Sequence, residues 1–422
     1  MEPSDNPSTI DITDLQQPVL SPLQKQALAA AEAHPVPLEE EAVLEAARAA
    51  TGLSDFGPDD FRVRLRLWLE ATRSDPNLSA AGRAGIYGDC VRYATNRLRV
   101  EDLVRRHPEI LNIKIDRPIA VAGLPRSGTT YLQAFLASDP RLRSLPFWEA
   151  IRPVPAAEER ASEGGEDPRH IKATEEWAQY DALLPYIKNI HEFSPDHISE
   201  DIELQAVDFG SYYIEWLVVS PIWRDYYFAT DQTSVYRYLK KMLRVLTWQK
   251  GPNRWLIKCP QHMEQLIPLT TVFPDATVVI NHRDPVASIQ SAIVGLCYSA
   301  RVRCKRVEPD SVANYWIDRY ERLLRGCVRD RDKLSDSRTV DVYFHALMAD
   351  PWQVIEEIYR KAELPLTPEI RAGMTEFVQR NPRGKHGQLI YNLRRDFDRT
   401  PESIRERFKF YFERFPVNVE VK

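Results

Sequence analysis

The chain has 422 residues, 43% hydrophobic and 28% charged, with a formal net charge of −5. That balance is ordinary for a globular protein and excludes a dedicated nucleic-acid binder, whose domain would be strongly basic, so any anion site must be local. Five cysteines, Cys90, Cys259, Cys297, Cys304 and Cys327, form no Cys-x-x-Cys pair and no Cys/His metal spacing, which points to buried thiols in a reducing cytoplasm. Residues 1–20 are polar and acidic, have no basic and apolar leader pattern, and are expected to be a disordered tail. Residues 21–112 are expected to form an N-terminal helical cap. Within it, 38–51, 59–73 and 80–106 carry Ala, Leu, Glu and Arg at helical spacing, and Pro58-Asp59-Asp60 places acids in a first turn.

From Pro118 the pattern changes to strands alternating with helices. Pro118-Ile119-Ala120-Val121-Ala122, Arg254-Trp255-Leu256-Ile257-Lys258, Thr277-Val278-Val279-Ile280-Asn281 and residues 339–344 read as strands. Residues 198–217, 236–249, 285–294, 314–331 and 351–361 read as helices. Such alternation specifies a parallel α/β sheet over 113–422, whose ligands bind at the carboxyl ends of strands. No run approaches the roughly 20 apolar residues of a membrane-spanning helix.

The first strand runs into Gly123-Leu124-Pro125-Arg126-Ser127-Gly128-Thr129-Thr130 and then a helix. A glycine turn of this kind aims backbone N–H groups and a helix N-terminus at one anion. Its two-glycine spacing is that of a nucleotide-binding loop, but Thr129 stands where such a loop carries Lys for the β- and γ-phosphates. The site therefore suits a single phosphate without metal. Asn281-His282-Arg283-Asp284-Pro285-Val286-Ala287-Ser288 follows a second strand, and Arg283 with Ser288 is a candidate for a second phosphate. Lys258-Cys259-Pro260-Gln261-His262 brings a cation and a general-base candidate to the same edge. Glu149, after the first loop's helix, is the alternative base. His191, His197, Glu200, Asp201 and Glu203 cluster before a helix, where Asp201 and Glu203 are read as electrostatic partners of its N-terminus. Arg383, Gly384 and Lys385 fall in a basic glycine loop suited to closing over a phosphate.

Taken in order, these segments resemble the sulfotransferases that use 3′-phosphoadenosine 5′-phosphosulfate, above all the bacterial branch with a Pro-Arg-Ser-Gly-Thr-Thr loop. The likeness runs from about Thr51 to Val417 and includes Thr51-Gly52-Leu53 with Asp55-Phe56-Gly57. It implies a P-loop-like three-layer α/β fold with a central parallel sheet. It also implies that Arg126, Ser127, Gly128, Thr129 and Thr130 hold the 5′-phosphosulfate, and that Arg283 and Ser288 hold the 3′-phosphate. Tyr343 is placed at the adenine, and Arg383, Gly384 and Lys385 over the cofactor. Many eukaryotic members carry Lys at the position of Arg126; Arg keeps the charge but is a poor proton donor. Members with small acceptors commonly use a His after the Lys-containing strand, nearly matched here by His262 at a larger offset from Lys258, whereas protein-tyrosine and glycosaminoglycan relatives use a Glu downstream of the first loop that Glu149 approximates.

The expected reaction is in-line transfer of a sulfuryl group to a hydroxyl or amine of a small-molecule, lipid or carbohydrate acceptor, releasing adenosine 3′,5′-bisphosphate, with no metal and in the cytoplasm. Arg126 and Lys258 would neutralise the leaving phosphate. The rival expectations are an ATP-dependent P-loop kinase and a non-catalytic nucleotide-binding protein on the same fold.

Overall fold

Short runs of apolar, β-branched residues build the centre of the molecule. The computed structural model describes residues 9–156, 165–191, 193–251, 253–380 and 387–422. Its main sheet has five parallel strands in the order β3-β4-β2-β5-β6: β2 (Ile119–Gly123), β3 (Leu142–Arg143), β4 (Arg254–Lys258), β5 (Thr277–His282) and β6 (Thr339–Tyr343). Successive side chains point to opposite faces, so β2 divides its apolar residues between two cores. Ile119 and Val121 pack with Leu132, Phe135, Ile355 and Tyr359, whereas Ala120 and Ala122 join the larger core on the other face. Helices cover both faces, giving the P-loop-like α/β architecture. Strand β3, only two residues long, is the one the sequence pattern leaves unseen.

Helices α1 (Pro22–Ala33), α2 (Glu40–Thr51), α3 (Phe61–Ser74) and α4 (Ala80–Arg106) share the larger core with the sheet. Trp68 meets Tyr93 and Phe209 edge-on, with centroids 5.8 and 5.5 Å away. Beneath them Asp208 receives Arg97 at 2.7 Å and Arg64 at 2.6 Å, all three being buried. Burial raises the Asp208 pKa above the ordinary carboxylate value even though both arginines oppose it. The N-terminus of α4 docks on the end of the helix Pro285–Arg303: Ser79 caps Gly82 and also donates to the Arg303 carbonyl. A Cβ on Gly82 would lie 2.2 Å from that carbonyl oxygen, so the approach demands glycine there.

Two expectations are corrected. Residues 9–20 are not a disordered tail: β1 (Thr9–Ile10) pairs with β7 (Gln388–Leu389), and Ile12 and Leu15 are buried. Asp11 and Asp14 pair with Arg395 and Arg301, so an acid–apolar alternation that reads as polar tail is in fact a docked segment. Residues 198–217 are not one helix but two short ones, Ile202–Ala206 and Tyr213–Leu217. The chain breaks at Phe209 (φ 52°), and Gln261 satisfies the freed backbone by donating to the Gly210 carbonyl and accepting from the Tyr212 N–H. Among the described residues no helix is long and apolar enough to cross a membrane.

Candidate active site at the carboxyl edge of the sheet

The turn after β2 leads into α5 (Thr129–Ala137), whose first N–H groups lack helical partners. Gly128 caps it at φ 89° and Arg126 stands at φ 67°, two left-handed positions in three residues. A Cβ on Gly128 would meet the Phe344 ring at 2.8 Å. Ser127 turns inward, its Oγ donating to the Leu124 carbonyl at 2.6 Å, so it shapes the turn and does not line the cavity. Arg126, Gly128, Thr129 and Thr130 do line a cavity of about 470 Å³ at this edge. The Arg126 guanidinium donates to Ser291 Oγ at 3.0 Å, and Tyr391 bonds the same hydroxyl at 2.9 Å.

Arg283, at the end of β5, lines the same cavity. It donates to the Arg126 carbonyl at 2.7 Å, lies 3.9 Å from the Phe344 ring centroid, and pairs with Glu420 at 2.8 Å. Asp284 receives the Glu420 N–H at 2.8 Å and so fixes that tail beside it. Ser288 is fully buried away from the cavity, and Ser291, one turn further along the helix Pro285–Arg303, takes the lining position instead. Tyr343 likewise lies off the cavity, stacked on His282 with centroids 5.2 Å apart; its neighbour Phe344 lines it. Arg383, Gly384 and Lys385 lie outside the described residues.

Neither expected base lines the cavity. His262 is fully buried, its Nδ1 bonded to Tyr236 at 2.8 Å and its Nε2 3.2 Å from Asp201. That second contact is an ion-pair distance without hydrogen-bond alignment. Burial pushes Asp201 up, but His262 and Gln205 outweigh it and hold the carboxyl low. Glu149 is buried between Arg143 and Lys250, each at 3.1 Å.

Glu200 does line the cavity, and its Oε1 receives the buried Lys258 Nζ at 2.5 Å. Its segment is pinned by Ser199 N–H on the Leu145 carbonyl, Gln133 on the Ser199 carbonyl and Asp201 N–H on the Lys258 carbonyl. Lys258 thus stands behind Glu200. Glu203, expected to serve a helix N-terminus, also lines the cavity and accepts from Tyr93 at 2.9 Å and Arg92 at 3.1 Å. A Glu before an acidic cluster gave no sequence signal that separated it from its neighbours. Phe147, Ile190, Phe193, Tyr212, Trp216 and Leu217 make much of the remaining wall apolar and aromatic, beside the polar His191, His197, Gln290 and Arg303. Among the described residues no group of three or more His, Cys, Asp or Glu side chains is placed to hold a metal ion.

Comparison with known proteins gives the family and the fold. The family model described as the sulfotransferase family matches residues 118–368. The structure is similar to that of the sulfotransferase STF9 from Mycobacterium avium, at TM-score 0.81 and 26% identity, covering 90% of this chain and 98% of the other. It is also similar to the sulfotransferase STF1 from Mycobacterium tuberculosis H37Rv, at TM-score 0.77 and 26% identity, covering 88% and 98%. No curated protein sequence matches the chain.

Proposed function

Because the chain belongs to the sulfotransferase family, we propose that it moves a sulfuryl group from 3′-phosphoadenosine 5′-phosphosulfate to a hydroxyl held against Glu200. One observation carries this reading: the anion-binding turn, the Arg283 guanidinium and the carboxylate held by Lys258 converge on a single cavity. The loop N–H groups, Arg126, Thr129 and Thr130 take the 5′-phosphosulfate, and Arg283 with Ser291 takes the 3′-phosphate in place of Glu420. Lys258 occupies Oε1 of Glu200 and leaves Oε2 as the proton acceptor.

In the reaction the acceptor oxygen bonds to sulfur as the bond from sulfur to the bridging phosphate oxygen breaks. The acceptor proton passes to Glu200. The electron pair leaves on adenosine 3′,5′-bisphosphate, where Arg126 and the loop N–H groups meet the growing charge. Lys258 acts on Glu200 as a positioning residue. Glu200→Gln is expected to lower kcat by roughly 10²- to 10⁴-fold while affinity for the bisphosphate is kept. Turnover that survives Glu200→Gln but disappears in a folded His262→Gln variant would return the base to His262.

A further inference from the structure

Two cavities meet at Arg303. The one that holds the loop and Glu200 adjoins a second, of about 670 Å³, beside residues 215–221. Trp216, Leu217, Leu296 and Arg303 line both, so these four side chains stand between them. Three of the four are apolar, and Trp216 is backed by Trp316 with ring centroids 4.1 Å apart. Arg303 is the exception. Its Nε is buried without a hydrogen-bond partner, and among the described residues no carboxylate forms an ion pair with it.

Among the described residues, the carboxylates that line the second cavity do not pair with it. Glu215 holds Tyr315 and Arg319, Glu308 lies 3.5 Å from Arg306, and Asp75 accepts the Asn77 N–H. In the first cavity Glu203 is taken by Arg92 and Tyr93. A guanidinium among apolar side chains, with its Nε desolvated and no carboxylate in an ion pair with it among the described residues, is a recognition group for an external anion. Beyond it the wall turns apolar again through Val218, Val219 and Pro221, while Lys305 adds a second cation.

We propose that the acceptor is an elongated amphipathic hydroxy acid. Its hydroxyl sits at Glu200, its hydrocarbon body lies along Trp216, Leu217 and Leu296, and its carboxylate pairs with Arg303. The inference rests on the sulfotransfer reading given above and names its acceptor class.

The test uses ω-hydroxy fatty acids of graded chain length and their methyl esters, with the full chain and the sulfuryl donor. At one optimal length the acid should exceed its ester in kcat/KM by about tenfold or more. Arg303→Met, which keeps the stem packed near Gly82, should bring that ratio close to one, and Arg303→Lys should retain most of it. Arg303→Glu should invert the preference toward ω-amino alcohols. Quenching of tryptophan fluorescence by the acids, measured without donor, should weaken in parallel in Arg303→Met. A wild-type ratio near one at every length, or a ratio unchanged in Arg303→Met, overturns the assignment of Arg303 even if short neutral alcohols are sulfated. Failure to bind adenosine 3′,5′-bisphosphate or to sulfate any alcohol strikes the sulfotransfer reading instead, and the fluorescence titration still judges the acid site.

Discussion

Replacing Gly128 by Ala should damage both the fold of the loop and its grip on nucleotide. At φ 89° an alanine sits in the left-handed region, at a cost of roughly 1–2 kcal/mol. Its Cβ would also lie 2.8 and 2.9 Å from two Phe344 ring carbons, well inside the optimal carbon separation of about 3.5–4.0 Å. Overpacking of this order adds about 1–3 kcal/mol, less whatever the ring recovers by moving. The ring is not free to move without consequence, because the Arg283 guanidinium lies over it at 3.9 Å. Displacing Phe344 therefore displaces the cation assigned to the 3′-phosphate. Urea unfolding should show a loss of about 2–4 kcal/mol, and calorimetric titration should show adenosine 3′,5′-bisphosphate binding weakened about tenfold or more. Gly88→Ala is the control. It lies inside α4 with nothing within 4 Å of its added Cβ, and it should stabilise by up to about 1 kcal/mol without touching affinity. A Gly128→Ala protein with wild-type stability and affinity would refute the coupling between loop, ring and arginine.

Other outcomes follow from the same geometry. Asp208→Asn leaves Arg64 and Arg97 buried without their shared carboxylate, and should cost about 3–5 kcal/mol in chemical denaturation. Glu420→Gln removes the carboxylate that competes for Arg283 and should tighten bisphosphate binding severalfold in the same titration, with the gain shrinking at high salt. Acid should lower the protein's stability in two stages, followed by stability curves against pH. Burial holds the folded pKa of His282 below its ordinary 6.5, so the unfolded chain gains a proton first and stability falls as pH drops below about 6.5. Burial pushes Asp341 up, but hydrogen bonds from His282 and Arg331 overcome it and hold the folded carboxyl at about 2, against 3.8 unfolded. Its contribution, about 1–2 kcal/mol after allowing for partial exposure, is full above pH 4 and is lost as pH falls toward 2.

Much of this fold is written locally. The β-branched run at Thr277 and the glycine turn after Ala122 each announce their element because period and turn chemistry need no distant partner. Helix α4 appears from Ala80 to Arg106 as its composition demands. The edge strand β3 and the docked segment around Ile12 were not legible, since both owe their order to contacts far along the chain. The break at Phe209 was hidden for the same reason: the amide that satisfies it belongs to Gln261.

At the site, some of the motif residues line the cavity and others do not. Arg126, Thr129, Thr130 and Arg283 face the cavity, whereas Ser288 and Tyr343 yield to Ser291 and Phe344, one helical turn and one residue away. Chain position fixes a neighbourhood, and rotation about the helix or strand selects which member faces inward. His262 and Glu149 carry suitable chemistry, but each is spent inside the protein on a buried partner. Glu200 acquires its place only when Ser199 is tied to Leu145 and to Gln133 of α5, and Asp201 to Lys258 of β4.

The most direct measurement is titration of adenosine 3′,5′-bisphosphate, with a chelator present, into the wild-type protein and into Arg126→Met and Ser291→Ala. Tight binding without metal that weakens at least about tenfold in both variants is the predicted result. Binding that ignores both substitutions, or a preference for ATP that requires magnesium, would contradict a cavity built around a sulfuryl donor.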